Sequence, residues 1–177
     1  DLVITAVGGV LGKVQVVDVF SATYVVFNQS PAPADESTTG SFLSRDPLFG
    51  PGDIELRNSQ VVPLTGFEVL TETKDWFVPY GTNAGSYYLI VCADVNHSVK
   101  ENDETNNCLT SSKFVEVEGP DLEVLSVTDP PPEIRRGESF SVTETVKNIG
   151  VSAAGSFVIS YYLSKDKIRQ VGDISLE

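Results

Sequence analysis

The chain has 177 residues, with 12 Lys+Arg against 25 Asp+Glu and a net charge of -13. Its 41% hydrophobic fraction is too high for a disordered acidic tail and suits a packed core. The acidic balance argues against nucleic acid and anionic membrane surfaces, and no apolar run approaches the ~20 residues that span a bilayer. In chain order, short β-branched and aromatic runs alternate with Gly, Pro, Asn, Asp and Ser clusters, the pattern of strands and turns. Leu2–Val7 is a first strand, Val14–Asn28 carries a long second one, and Ser37–Leu43 is a third. Ile54–Leu56 starts a fourth, and Val61–Val69 and Thr73–Val78 are weaker candidates. Ser86–Asp94 is the clearest strand, Cys108–Val117 closes the set, and Gly119-Pro120 punctuates the join to the remaining residues. No stretch sustains a helical period, and the chain does not begin with Met, which marks it as processed or excised.

Period-two alternation assigns faces. Phe20, Ala22, Tyr24 and Val26 share an inward face, as do Tyr87, Leu89 and Val91, with Tyr88, Ile90 and Cys92 on the opposite side. Trp76 is expected to pack over the core edge.

The strongest organisational signal is an internal repeat. Shifted by 120 positions, residues 1–56 lie over 121–176 without a gap, with 16 identities in 56 positions. They include Asp1/Asp121, Phe20/Phe140, Asn28/Asn148, Leu43/Leu163, Asp46/Asp166 and Asp53/Asp173. The second copy breaks the inward pattern once, reading Phe140, Val142, Glu144, Val146. Glu144 marks either a bulge or strand rim, or a contact with a partner.

Cys92 and Cys108 are the only cysteines. Their spacing fits neither a CxxC redox pair nor a four-ligand zinc set. An even count in a processed chain suggests a disulfide and an oxidising compartment. The alternative is two buried free thiols. A bridge of this loop length contributes about 3 kcal/mol by the chain-entropy model.

Several runs then carry a family resemblance. The second copy reads Pro120-Asp121-Leu122-Glu123-Val124, Gly137-Glu138-Ser139-Phe140, Val146-Lys147-Asn148-Ile149-Gly150 and Tyr161-Tyr162-Leu163-Ser164-Lys165-Asp166. The first closes with Ser86-Tyr87-Tyr88-Leu89, Cys92-Ala93-Asp94, then Glu101, Glu104 and Asn106-Asn107-Cys108. In order and spacing these resemble the CARDB family, the cell-adhesion-related domain found in bacteria, over essentially the whole chain. The resemblance implies an immunoglobulin-like sandwich in secreted or surface proteins, usually in tandem, without catalytic residues. The first copy departs from it at Phe27-Asn28-Gln29-Ser30 and at Gly8-Gly9-Val10, where the second has Lys-Asn-Ile-Gly and a proline run.

The loop Asp94–Asn107 is the best candidate site. Asp94, Asn96, Glu101, Asp103, Glu104 and Asn106, with Asn107, are hard oxygen donors of the kind Ca²⁺ takes. The loop lacks EF-hand spacing, and the alternative is a solvated loop whose Asn and Asp side chains cap their own backbone. Asp46 and Asp53, repeated as Asp166 and Asp173, read as turn formers. Asn28-Gln29-Ser30 and Asn96-His97-Ser98 match the N-glycosylation pattern at Asn28 and Asn96. His97 has no nucleophile elbow to serve, and neither a phosphate-cradling loop nor a dinucleotide fingerprint is present.

The expectation is an all-β chain of immunoglobulin-like β-sandwich type: residues 1–118 form one module and 119–177 the N-terminal half of a second. Half a sandwich leaves Phe140, Val142, Glu144, Val146, Phe157, Ile159, Tyr161 and Leu163 as a face needing cover. That cover comes from a longer chain or from a neighbouring copy. The expected role is a non-enzymatic extracellular module of a stalk or filament, requiring no cofactor, with calcium as an optional ligand. Its partners would be further copies or the rest of a longer surface protein. The alternative is a polysaccharide-binding accessory module of a secreted enzyme, with Trp76, Tyr80 or Tyr88 as an exposed platform for carbohydrate.

Overall fold

The computed structural model describes residues 1–9 and 12–176, all strands, turns and loops, so the chain is all-β. Val10, in the early segment where the two copies differ, lies outside the described residues. One sheet of the first copy has the order β1 (Leu2–Gly8), β3 (Val19–Asn28), β7 (Val69–Phe77), all antiparallel. The other runs β2 (Lys13–Gln15), β9 (Cys108–Glu118), β8 (Gly85–Cys92), β4 (Ser37–Ser44), β5 (Ile54–Glu55). A short β6 (Ser59–Val61) also pairs with β4.

The sandwich core lies between the inward faces. Phe20, Ala22, Tyr24 and Val26 of β3 are at most 4% exposed, and they face Leu43, Tyr87, Leu89, Val91, Val115 and Val117. Alternation predicted this because each strand of a two-layer fold buries every second side chain. Tyr88, Ile90 and Cys92 point the other way, where Ile90 and Cys92 form a small outer cluster with Phe42. Trp76 is not at the core edge. It is 2% exposed and sits 5.8 Å from Phe20 and 6.3 Å from Tyr24, ring centre to ring centre.

Two strand expectations need correction. The run Val14–Asn28 is not one strand: it breaks at Val17, whose φ of 69° is unusual for a β-branched residue. The break moves the chain from one sheet to the other, and β2 pairs in parallel with β9. Val17 N–H donates to Val78 O and Val78 N–H to Asp18 O, which holds the crossing in place. Val61–Val69 is mostly loop, because Pro63 and Gly66 interrupt it and the strand starts only at Val69. The inward side of β7 reads Leu70, Glu72, Lys74, Trp76, so its charges mask the alternation. Those charges are used: Tyr24 OH donates to Glu72 at 2.6 Å, and Lys74 Nζ lies 3.0 Å from the same carboxylate.

The second copy repeats the geometry as well as the sequence. β10 (Leu122–Val127) pairs with β11 (Glu144–Asn148) as β1 pairs with β3, with the register shift at Val124/Ser126 matching Ile4/Ala6. β12 (Tyr161–Leu163) and β13 (Ile174–Leu176) pair Leu163 with Ile174, as Leu43 pairs with Ile54. Phe140, Val142, Glu144, Val146, Ile159 and Tyr161 are half-buried, while Phe157 and Leu163 are 50% and 45% exposed. Glu144 is the first residue of β11, at the strand rim rather than at the register shift, and its carboxylate lies beside Tyr161 and holds that phenol above its ordinary pKa.

Candidate functional sites

The acidic loop grows from the end of β8 and returns into β9. Cys92 and Cys108 are directly opposite in register and form a disulfide with S–S 2.03 Å, so the free-thiol alternative is excluded. Just beyond it, Asp94 is fully buried with φ 39°. Its Oδ1 accepts from Ser98 N and Oγ at 3.1 and 2.6 Å, and its Oδ2 from Val99 N at 2.7 Å. Asp103 accepts from Thr105 N and Oγ1, which holds its carboxyl below the usual range. Glu104 accepts from Glu101 N and contacts His97 Nδ1 at 2.8 Å, which raises the imidazole pKa. Asn96 is exposed.

Glu101 turns inward, with none of its side chain exposed. Leu2 N donates to Oε2, and Asn107 Nδ2 donates to Oε1 at 2.9 Å. Burial raises its pKa, and these two hydrogen bonds oppose the rise. The Oδ1 atoms of Asp1, Asn106 and Asn107 are buried without hydrogen-bond partners. The structure thus brings Glu101 and Asn107 together with Asp1 and Leu2 and commits Asp94 and Asp103 to the loop backbone. Among the described residues, no three His, Cys, Asp or Glu groups converge on one metal position.

Asn28 is 0% exposed, and its Nδ2 donates to Ala32 O, Leu64 O and Thr65 O. A glycan on that nitrogen would have no room, so the triplet at Asn28 marks a structural corner. Asn148 repeats it, donating to Ser152 O at 2.7 Å and accepting from Gly150 N. Asp46 and Asp53 accept from Leu48 N and Gly50 N; Asp166 and Asp173 accept from Ile168 N and Gln170 N. Both pairs are turn formers.

Around the Gly119-Pro120 link, further contacts join the two copies. Ser152 is 9% exposed, and its hydroxyl lies 3.2 Å from Glu118 O and 3.4 Å from Gln15 Oε1. A Cβ at Gly150 would stand 2.4 Å from Asp121 N and 2.5 Å from Gly119 O, so only Gly lets this corner close on the link. A cleft of about 460 Å³ opens beside it, lined by Val17, Tyr80, Thr82, Pro120 and Ala153 among others. Tyr80 is 85% exposed there, Tyr88 packs against Phe114 with tilted rings whose centres are 4.5 Å apart, and Trp76 is core. The expected aromatic platform therefore loses Trp76. The sequence marked the link at Gly119-Pro120, but nothing in it pointed to Ser152.

The sequence profile of the CARDB family matches residues 1–111 and again 119–176. The chain belongs to the CARDB family. CARDB domains are non-catalytic modules of larger proteins. Among solved structures, the chain is similar to the CARDB domain of a Pyrococcus furiosus protein in complex with di-metal ions. That match has 22% identity, 66% of this chain, 92% of that one and TM-score 0.49. It is similar to a domain, residues 272–376, of a protein assigned to the cell surface of Methanosarcina acetivorans, at 23% identity, covering 66% and 90% of the chains, TM-score 0.47. A Listeria innocua beta-glucosidase matches at 11% identity over 66% of this chain and 16% of the enzyme, TM-score 0.42. No curated protein matches the sequence. Among the described residues, no helix is long and apolar enough to cross a membrane.

Proposed function

We propose that the chain is a stiff, non-enzymatic segment of an extracellular surface protein, a stalk or filament built from tandem CARDB modules. The observation that carries this reading is the joint. Ser152 is anchored on Glu118 O and Gln15, and Gly150 packs on Gly119 and Asp121, so contacts besides the chain itself span the two copies. The disulfide supports an oxidising location outside the cell. The acidic surface supports solubility there.

The family, a non-catalytic module, supports the non-enzymatic reading. Among the described residues, the Ser98 hydroxyl donates to Asp94 and His97 contacts Glu104. The face formed by Phe140, Val142, Val146, Phe157, Ile159 and Leu163 is read as the surface that the remaining strands of the same module cover, as β7–β9 do in the first copy.

Residual dipolar couplings test the joint. A rigid segment gives both copies one alignment tensor. Ser152→Ala combined with Gly150→Val separates the two tensors while leaving the first copy's amide spectrum in place. Two independent tensors in the unmodified chain would overturn the stiff-segment reading. Analytical ultracentrifugation tests the cover: self-association through the open face would assign it to a neighbouring copy instead.

A further inference from the structure

The acidic loop leaves three oxygens unexplained. Asp1, Asn106 and Asn107 each bury a side-chain Oδ1 with no hydrogen-bond partner, and Asn107 as a whole is only 5% exposed. Buried orphan acceptors are rare in folded proteins, because each has given up water for nothing, and an ion or a water usually accounts for them. Asp1 and Asn107 adjoin one carboxylate, and Asn106 precedes Asn107 in the chain. Glu101 accepts from Asn107 Nδ2 and from Leu2 N, next in the chain to Asp1. Asp1 is held in position by Gln29, whose Nε2 donates to Asp1 Oδ2 at 2.8 Å, so Oδ1 is the oxygen left over. The Asn107 amide is oriented by two acceptors, Ala93 O and Glu101 Oε1, so its oxygen cannot be an exchanged nitrogen.

We propose that this end of the first copy binds a calcium ion through Glu101, Asp1 and the side-chain oxygens of Asn106 and Asn107. The donor set consists of hard oxygens, two carboxylates and two amides, in the irregular mixture calcium accepts. Magnesium demands a tighter octahedron and gives up its water reluctantly. The ion would tie the start of β1 to the end of the loop, next to the disulfide, and fix the end of the sandwich opposite the joint. With only two carboxylates the affinity falls in the range of extracellular modules, roughly 0.1–1 mM.

The test uses the full chain, stripped with chelator, then scanned thermally in calcium chloride or magnesium chloride. Calcium at about 10 mM raises Tm by a few degrees, and magnesium raises it less. Asn106→Ala removes an oxygen that makes no hydrogen bond, so in chelator it melts no lower than the parent while losing most of the calcium response. Glu101→Gln loses the response as well; should it fail to fold, Asn106→Ala carries the test alone. Three results overturn the site: no response in the parent, an equal response to magnesium, or a full calcium response in Asn106→Ala. The first would assign the oxygens to bound water.

Discussion

The Glu144 carboxylate lies beside the Tyr161 phenol in the second copy, at the positions Tyr24 and Ser41 hold in the first. Both arrangements place one tyrosine and one smaller polar group between the sheets. The aromatic has moved from β3's counterpart to β4's, and a carboxylate fills the vacated place. Of the expectations for Glu144, the strand rim agrees with the start of β11, and the tyrosine opposite it could not be read from one strand alone. Glu144→Gln removes the neighbouring charge, so the Tyr161 titration midpoint falls toward the ordinary tyrosine value. Tyrosine-labelled NMR reads this directly, and an unchanged midpoint would mean that the two groups do not interact.

Trp76 fills the first core, whereas Tyr80 stands in solvent. Trp76→Ala is expected to cost about 3–5 kcal/mol. Tyr80→Ala is expected to stay within about 0.5 kcal/mol of the parent. Urea denaturation followed by circular dichroism compares them. Equal costs would show that Trp76 does not carry the core.

The Cys92–Cys108 bridge closes a short loop between paired strands. Replacing both cysteines by alanine is expected to lower stability by about 3 kcal/mol through the unfolded chain's regained freedom. A loss near zero would mean that the loop is already ordered by Asp94 and Glu101 when unbridged.

His97 is paired with Glu104, and its folded pKa is raised above the reference value of 6.5. The pairing therefore contributes fully below pH 6.5 and is lost as pH rises through the folded value. Both groups are largely exposed, so the effect on stability is small. The histidine resonances should titrate above the ordinary value and return toward it in Glu104→Gln. A parent midpoint at or below the reference would contradict the pair.

Much of the first copy was legible because its core strands alternate cleanly: Phe20 through Val26 and Tyr87 through Val91 could be placed on faces from the sequence alone. β7 was hard to read because Glu72 and Lys74 occupy inward positions, satisfied by Tyr24 and by each other. The crossing at Val17 left no trace, since nothing in the local run announces a positive φ at a valine. In the candidate site, the type of donor was legible but its allegiance was not. Asp94 and Glu101 look alike in sequence, yet one binds loop amides and the other turns toward β1. Asn28 shows the same limit, since its glycosylation triplet conceals a side chain bonded to three carbonyls.

The parallel pairing of β2 with β9 has a mechanical consequence. β2 belongs to the entering end of the first copy and β9 to its leaving end, and they lie side by side over Lys13–Gln15 and Glu116–Glu118. Tension applied between the two ends pulls these strands lengthwise past each other, so their hydrogen bonds are sheared together rather than peeled one at a time. Val16 N to Glu118 O and Glu116 N to Gly12 O share that load. The same Glu118 carbonyl receives Ser152 from the next copy, so the clamp and the joint meet at one residue. A pull along a tandem array would thus pass from one shear clamp to the next, and the rupture force of a module would depend on whether its neighbour is docked.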